Sequence, residues 1–233
     1  MLFRSLANWG NITQLTSNGW HNYRAMYVRL DKRFSNRYQY IVSYTREWTR
    51  NNVANITDFY HPEINEGPAG RKHTLVASGS ALLPFDLTVG AVWTLRSALP
   101  YDALAGVDFT GDGAIDLVPG ATTNMAGRDS TNTARLLELV NAWRGARNLR
   151  AIPASQLQSS DYNRADVRIS RAFRLPGNRT VELSAQVLNL FGSDNHIGGT
   201  GGAFINNALS TQYGTYTVTG ARQEAELGIR FRF

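Results

Sequence analysis

The strongest constraint on this chain is a period of two. Apolar and polar residues alternate in about seven segments, the pattern of strands whose two faces meet different surroundings. The last segment is the most regular: Ala225, Leu227, Ile229 and Phe231 alternate with Glu224, Glu226, Gly228, Arg230 and Arg232, and Phe233 follows. The same alternation runs over about Asn22–Phe34, Tyr38–Thr49, His73–Leu83, Leu87–Arg96, Asn163–Leu175 and Thr180–Phe191. Arg171 interrupts the apolar face of the segment before last but one.

The connections between these segments are unequal. Ser35-Asn36-Arg37, Pro84-Phe85-Asp86 and Pro176-Gly177-Asn178 are tight turns, and they alternate with long stretches, the longest from about Pro100 to Tyr162. Short turns on one side and long loops on the other are the wiring of an outer-membrane barrel, with the turns in the periplasm and the loops outside the cell. A soluble sandwich has moderate connections at both ends, and a structureless loop longer than about 15 residues argues against a compact domain. Within the longest loop, Leu136, Leu137, Val140 and Trp143 recur at helical spacing, which predicts a helix over Thr133–Arg150 with its stripe used in local packing. Thr131 or Thr133 would cap it. The fold expected is all-β: an antiparallel transmembrane β-barrel segment of about seven strands with long extracellular loops and one short helix.

Composition removes alternatives. The chain has 233 residues, 42% hydrophobic, and no run approaching the roughly 18 apolar residues that a membrane-spanning helix needs. A barrel strand needs only about 9–11 residues, greasy at alternate positions. Absence of cysteine excludes disulfides, thiol catalysis and Cys-ligated metals. The net charge of +6 is spread along the chain instead of clustered, which argues against nucleic-acid binding and leaves lipopolysaccharide and lumen-facing arginines as its partners. Met1–Ala7 lacks the apolar core and small-residue cleavage site of a signal peptide.

Three stretches together resemble the C-terminal barrel of TonB-dependent receptors, and especially the Oar-like subgroup whose members carry a carboxypeptidase-regulatory-like domain. The first is Asn22–Ser35 with its Lys32-Arg33-Phe34 turn, followed by Ser43-Tyr44-Thr45. The second is Arg164–Phe173 with Val187-Leu188-Asn189-Leu190-Phe191. The third is the final strand, where Leu227, Ile229, Phe231 and Phe233 resemble the signal read by the barrel-assembly machinery. The resemblance covers nearly the whole chain. It implies a barrel of about twenty-two strands, plugged by an N-terminal domain and driven by the inner-membrane TonB complex. Residues 1–233 then form the C-terminal portion of a barrel domain, with 1–19 and 100–162 as loop regions and the plug absent, so a truncated gene product or incomplete gene model is expected.

One constellation carries ligand chemistry. Asp108, Thr110 and Asp112, with Gly113 allowing a sharp turn and Asp116 adding a carboxylate, resemble the first half of a calcium loop. The bidentate Glu of an EF-hand would fall at Pro119, so a plain Asp/Gly turn is the alternative. His21, His61, His73 and His196 are too scattered for a metal site, and Gly198–Gly202 reads as loop, not a phosphate cradle. No Gly-x-Ser-x-Gly elbow supports a catalytic serine. Trp9, Trp20, Trp48, Trp93 and Tyr44 are candidate interfacial anchors.

The function expected is non-enzymatic: uptake of a scarce or large solute across the outer membrane of a Gram-negative bacterium. Its partners would be outer-membrane lipid and lipopolysaccharide, the assembly machinery, and the rest of the barrel, plug and TonB complex. Two other readings stand beside it, an adhesion or structural barrel and a soluble carbohydrate-binding β-sandwich.

Overall fold

Each alternating segment forms one strand, and the strands pair with their neighbours in chain order. The computed structural model describes residues 17, 19–52, 65–111, 113–127, 133–157, 161–196, 204–217, 220 and 222–233. The strands are β1 (His21–Ser35), β2 (Tyr38–Asn51), β3 (Gly67–Ala69), β4 (His73–Leu82), β5 (Leu87–Arg96), β6 (Tyr162–Leu175), β7 (Arg179–Leu188) and β8 (Glu224–Arg232), with one α-helix, α1 (Thr133–Gly145), between β5 and β6. They make a single antiparallel sheet in the order β1-β2-β4-β5-β6-β7-β8, with the short β3 added on the end of β2. Among the described residues β1 and β8 each pair with one strand only, so the sheet has two bare edges.

The three tight turns are built alike. Asn36 and Arg37, Phe85 and Asp86, and Gly177 and Asn178 all hold positive φ. Two consecutive left-handed residues give the backbone twist that suits right-twisted hairpin strands, and Asn, Asp and Gly tolerate that region best. Arg37 also donates from Nε and Nη2 to the carbonyls of Leu82 and Leu83, both at 2.9 Å, tying the first turn to the second. Strand β7 ends at Leu188, short of the expected Phe191, because Asn189 turns to φ 51° and its N–H is taken by the Asp166 carboxylate at 2.9 Å. Strand β3 carries only Gly67-Pro68-Ala69, too short for any period to show. Helix α1 stops at Gly145, before the expected Arg150, at the residue least suited to continue it.

The registers divide every strand into two faces. Residues opposite one another point the same way, so Leu227 shares a face with Ala185, Ile169, Val89, Ala81 and Tyr38 across six strands. The other face carries Gln39, Ser80, Gly90, Arg168, Gln186 and Glu226. The polar side is concave, forming a trough of about 610 Å³ lined in part by Gln39, Ser78, Ser80, Asp166, Arg168 and Gln186. Inward charges pair along and between strands: Arg164 meets Asp166 of the same strand at 2.9 Å, and Glu182 lies between Arg168 at 3.4 Å and Arg230 at 3.9 Å.

Among the described residues no hydrophobic core lies on either side of the sheet. Among the described apolar residues that are buried, only Ala165 belongs to a strand. The convex apolar face is instead bare: Leu227 is 89% and Ile229 78% exposed. A sandwich would bury one face against a second sheet, so the soluble-sandwich reading does not describe this architecture. No helix among the described residues is long and apolar enough to cross a membrane.

Candidate functional site

The buried core sits beyond the sheet, where the long β5–β6 and β7–β8 connections fold against each other. Tyr101, Leu117, Val118, Leu136, Val140, Ile152 and Leu157 from the first meet Phe204, Ala208 and Tyr213 from the second. The backbones are stitched as well. Leu104 donates its N–H to Asn206 at 3.0 Å and accepts from Ala208 at 2.7 Å, and Asn206 Nδ2 reaches the Asp102 carbonyl at 2.9 Å. Loops usually bury little because their backbone polar groups need partners; here each loop supplies partners to the other. The result is a cap at one end of the sheet.

Helix α1 is the cap's spine. Leu136, Val140 and Arg144 recur every fourth residue and are all buried, so an arginine completes the stripe that one leucine and one valine begin. The Arg144 guanidinium donates to three carbonyls: Arg150 at 2.8 Å, Ser210 at 2.9 Å, and Ala208. Two of those carbonyls belong to the other loop, so this side chain fastens it to the helix. Beside Arg144 on the same helix, Trp143 donates Nε1 to the Ala105 carbonyl at 2.9 Å, and Asn141 exchanges two bonds with the backbone of Ile152. Truncating Trp143 to Phe removes one bond and is expected to weaken the cap by about 1 kcal/mol, read as faster amide exchange around Ala105.

Two tyrosines make the cap sensitive to high pH. Tyr101 donates its hydroxyl to the Leu157 carbonyl at 3.0 Å, and the Tyr213 hydroxyl is buried. Burial pushes Tyr213 up to about 12, against the pull of Tyr101 and Arg144. Burial, with Tyr213 nearby, pushes Tyr101 up as well. The folded cap therefore keeps phenolic protons that the unfolded chain releases above its ordinary value near pH 10. Stability is independent of these groups below about pH 10 and falls as pH rises from about 10 towards 12. Tyr213→Phe should shallow that fall in a stability titration; an unchanged slope in the variant would contradict it.

The calcium-like stretch lies on the edge of the cap. Asp108 accepts the N–H groups of Gly111 and Gly113, while the buried Asp116 accepts those of Phe109 at 2.7 Å and Thr110 at 3.0 Å and the Thr110 hydroxyl at 3.0 Å. Each carboxylate thus closes its own part of the turn. Among the described residues no three acidic or histidine side chains converge as metal ligands do. Asp112 lies outside the described residues, as do Trp9, His61, Thr131 and Gly198–Gly202.

The sheet below the cap is dressed for two interfaces. At the short-turn end, Lys32 stands 3.6 Å over the Tyr38 ring, and Arg171 stands 4.7 Å over Phe173. At the long-loop end, Arg46 stands 4.8 Å over the Trp48 ring, Tyr44 Oη bonds His73 Nδ1 at 2.7 Å, and Trp93 Nε1 donates to Asn163 at 2.9 Å. Arg171, the break in the alternation, lies opposite Leu87, the first residue of β5, so its charge sits at the short-turn rim. Tyr38 at the start of β2 and Trp48 near its far end share the outward face, ten residues apart. At about 3.3 Å per residue and a tilt of about 40°, that spans about 25 Å, the height of a barrel's apolar band between its aromatic girdles. Leu227, Ile229 and Phe231 share this outward face, and Phe233 is 99% exposed beyond them.

A bare apolar convex face between two aromatic girdles, a wet concave face, and loops gathered at one end define a membrane β-barrel. The chain matches the family model described as an outer membrane beta barrel domain over residues 2–230 and belongs to that family. It is a protein of the bacterial outer membrane. No curated protein and no solved structure matches it significantly.

Proposed function

We propose that the chain forms the C-terminal part of the barrel of a TonB-dependent, Oar-like receptor, whose whole takes up a scarce or large solute without catalysing a reaction. The observation that carries this reading is the cap. Two outer loops folded into one body above a polar trough put a shaped surface at the mouth of a wet passage, which is what solute capture requires.

Strand direction supports a larger barrel. Strands β1 and β8, first and last of seven long antiparallel strands, run the same way, from the long-loop side to the short-turn side. Joining them directly would make a parallel seam. An all-antiparallel closure needs an odd number of further strands between them, consistent with the even totals of bacterial barrels. In this reading the rest of the barrel, a plug and the TonB complex are partners, and the assembly machinery reads Leu227, Ile229, Phe231 and Phe233. Uptake by cells carrying the full-length gene should stop when the TonB complex is removed. Uptake that continues unchanged would overturn the proposal.

One observation favours an adhesion barrel as the second reading: the cap exposes Val107, Phe109 and Ile115, an apolar group suited to a protein partner. Attachment through the cap with no energy-dependent uptake would favour it. Calcium at Asp108, Thr110, Asp112 and Asp116 is a secondary proposal. Saturable binding that is lost in Asp112→Ala would support it, and an equal response by both chains would end it.

A further inference from the structure

Charge on the outward face has one sign. All six acidic residues of the strands, Asp31, Glu47, Asp166, Glu182, Glu224 and Glu226, fall on the inward side by register. Outward cations at the long-loop end gather on two adjacent strands around one tryptophan. Arg24 of β1 lies opposite Trp48 of β2, and Arg46 and Arg50 lie two residues to either side of Trp48 on the same face. Cross-strand neighbours are about 5 Å apart and same-face residues along a strand about 7 Å apart. Arg24, Arg46 and Arg50 therefore flank one indole, with the Arg46 guanidinium standing over it.

Two details point to an absent partner. Arg46 Nε is shielded from solvent and meets no hydrogen-bond acceptor among the described residues, a costly state for a charged donor. Beside the cluster is a cavity of about 430 Å³, lined in part by Trp20, Arg24, Trp48, Arg50 and Lys72; Glu47, whose carboxylate accepts from the Thr49 hydroxyl, lines it too, and Arg46 stands outside it. An isolated arginine at a membrane interface needs no ligand, since it reaches the headgroup region by itself. Three flanking one ring, a shielded nitrogen on one of them, and a cavity lined by the other two and Lys72 favour an anionic occupant.

We propose that Arg24, Arg46 and Arg50, arranged around Trp48, bind the phosphate of a phosphorylated glycolipid in the outer leaflet. The guanidinium fork matches phosphate oxygens in pairs. The lipid source, as opposed to a free anion, follows from what lies below. Met26, Val28 and Leu30 continue the same face of β1 away from the arginines, and Tyr44 and Val42 do so on β2, giving acyl chains an apolar track beneath a bound headgroup. The site depends on the outer-membrane location and is independent of the transport reading.

The test uses the folded chain in neutral-detergent micelles with three probes: a phosphorylated lipid A, the same lipid without phosphate, and inorganic phosphate. The phosphorylated lipid should bind at least tenfold more tightly than the phosphate-free form. R24Q/R46Q/R50Q should lose about tenfold or more of that affinity, while K32Q/R171Q, at the opposite rim, should bind as the parent does. Should the triple variant fail to fold by circular dichroism, the single change R24Q, on an exposed edge strand, should still weaken binding severalfold. Undiminished binding by a folded arginine variant, equal binding of the phosphate-free lipid, or equal weakening by K32Q/R171Q would overturn the site. Displacement of the lipid by inorganic phosphate at similar concentration would show a free-anion site and overturn it too.

Discussion

Replacing Arg144 by Ala is expected to release the β7–β8 loop from the cap while the sheet stays intact. The guanidinium serves three carbonyl oxygens, and two of them, on Ala208 and Ser210, belong to that loop. Removing it strands acceptors in a site closed to solvent, at about 1–3 kcal/mol each where water cannot enter. A total cost to the cap of about 3–5 kcal/mol follows. Amide exchange in 204–217 should then quicken by about a hundredfold or more, and protease should cut there first. Protection in β4 to β7 should hardly change, because their hydrogen bonds run strand to strand. Arg144→Lys keeps a charge but one point donor in place of a planar fork, and should fall between the two. Unchanged exchange in 204–217 after Arg144→Ala would show that the apolar contacts and the Leu104 backbone bonds hold the cap without the guanidinium.

The second large effect distinguishes the two faces of a single strand. Ile169 stands near the middle of β6 on the outward side, and its neighbour Ser170 points inward. Arginine at position 169 would have to lie in hydrocarbon, costing about 2–4 kcal/mol near the bilayer midplane. Arginine at position 170 would join Arg168 and Arg174 on the wet face, where a solvated substitution costs about 0.5 kcal/mol or less. Urea titrations of the folded chain in vesicles should place Ile169→Arg well below the parent and Ser170→Arg close to it. Equal destabilisation by both would mean that the two faces meet the same medium.

Much of this architecture was legible in the sequence, for a physical reason. A strand between lipid and water must alternate at each residue, so the environment is written into the chain locally, and seven strands stand within a few residues of where the alternation puts them. The lipid-facing stripe of Leu227, Ile229 and Phe231 is read in the same way. The cap was not legible, because its contacts are not local. Arg144 looks like one more solvated charge on a helix until Ala208 and Ser210 arrive from the next loop. Tyr213 and Phe204 carry no period that would announce burial, and Tyr101 reaches them from a different loop. The turn at Asp108 and Asp116 shows a related limit: carboxylate spacing suits a cation or a set of backbone N–H donors equally, and only coordinates show that N–H donors are there. Strand β3, with three residues, was too short to show a period at all.

The arginines around Trp48 illustrate what register adds. In the sequence Arg46 and Arg50 are two basic residues near a tryptophan, and Arg24 is remote. The pairing of β1 with β2 brings Arg24 opposite Trp48 and sets all three on the side where no strand carries an acid. The site is a property of strand pairing, which the linear chain leaves open.

Cysteine scanning along β7 tests the two-faced sheet most directly, since the chain contains no cysteine of its own. Single cysteines at Val181, Leu183, Ala185 and Val187 should resist a water-soluble maleimide in intact vesicles and report lipid contact when carrying a spin label. Cysteines at Thr180, Glu182, Ser184 and Gln186 should react with the maleimide and show no lipid contact. Strict alternation between the two sets is the predicted result, and uniform reactivity along the strand would contradict the account.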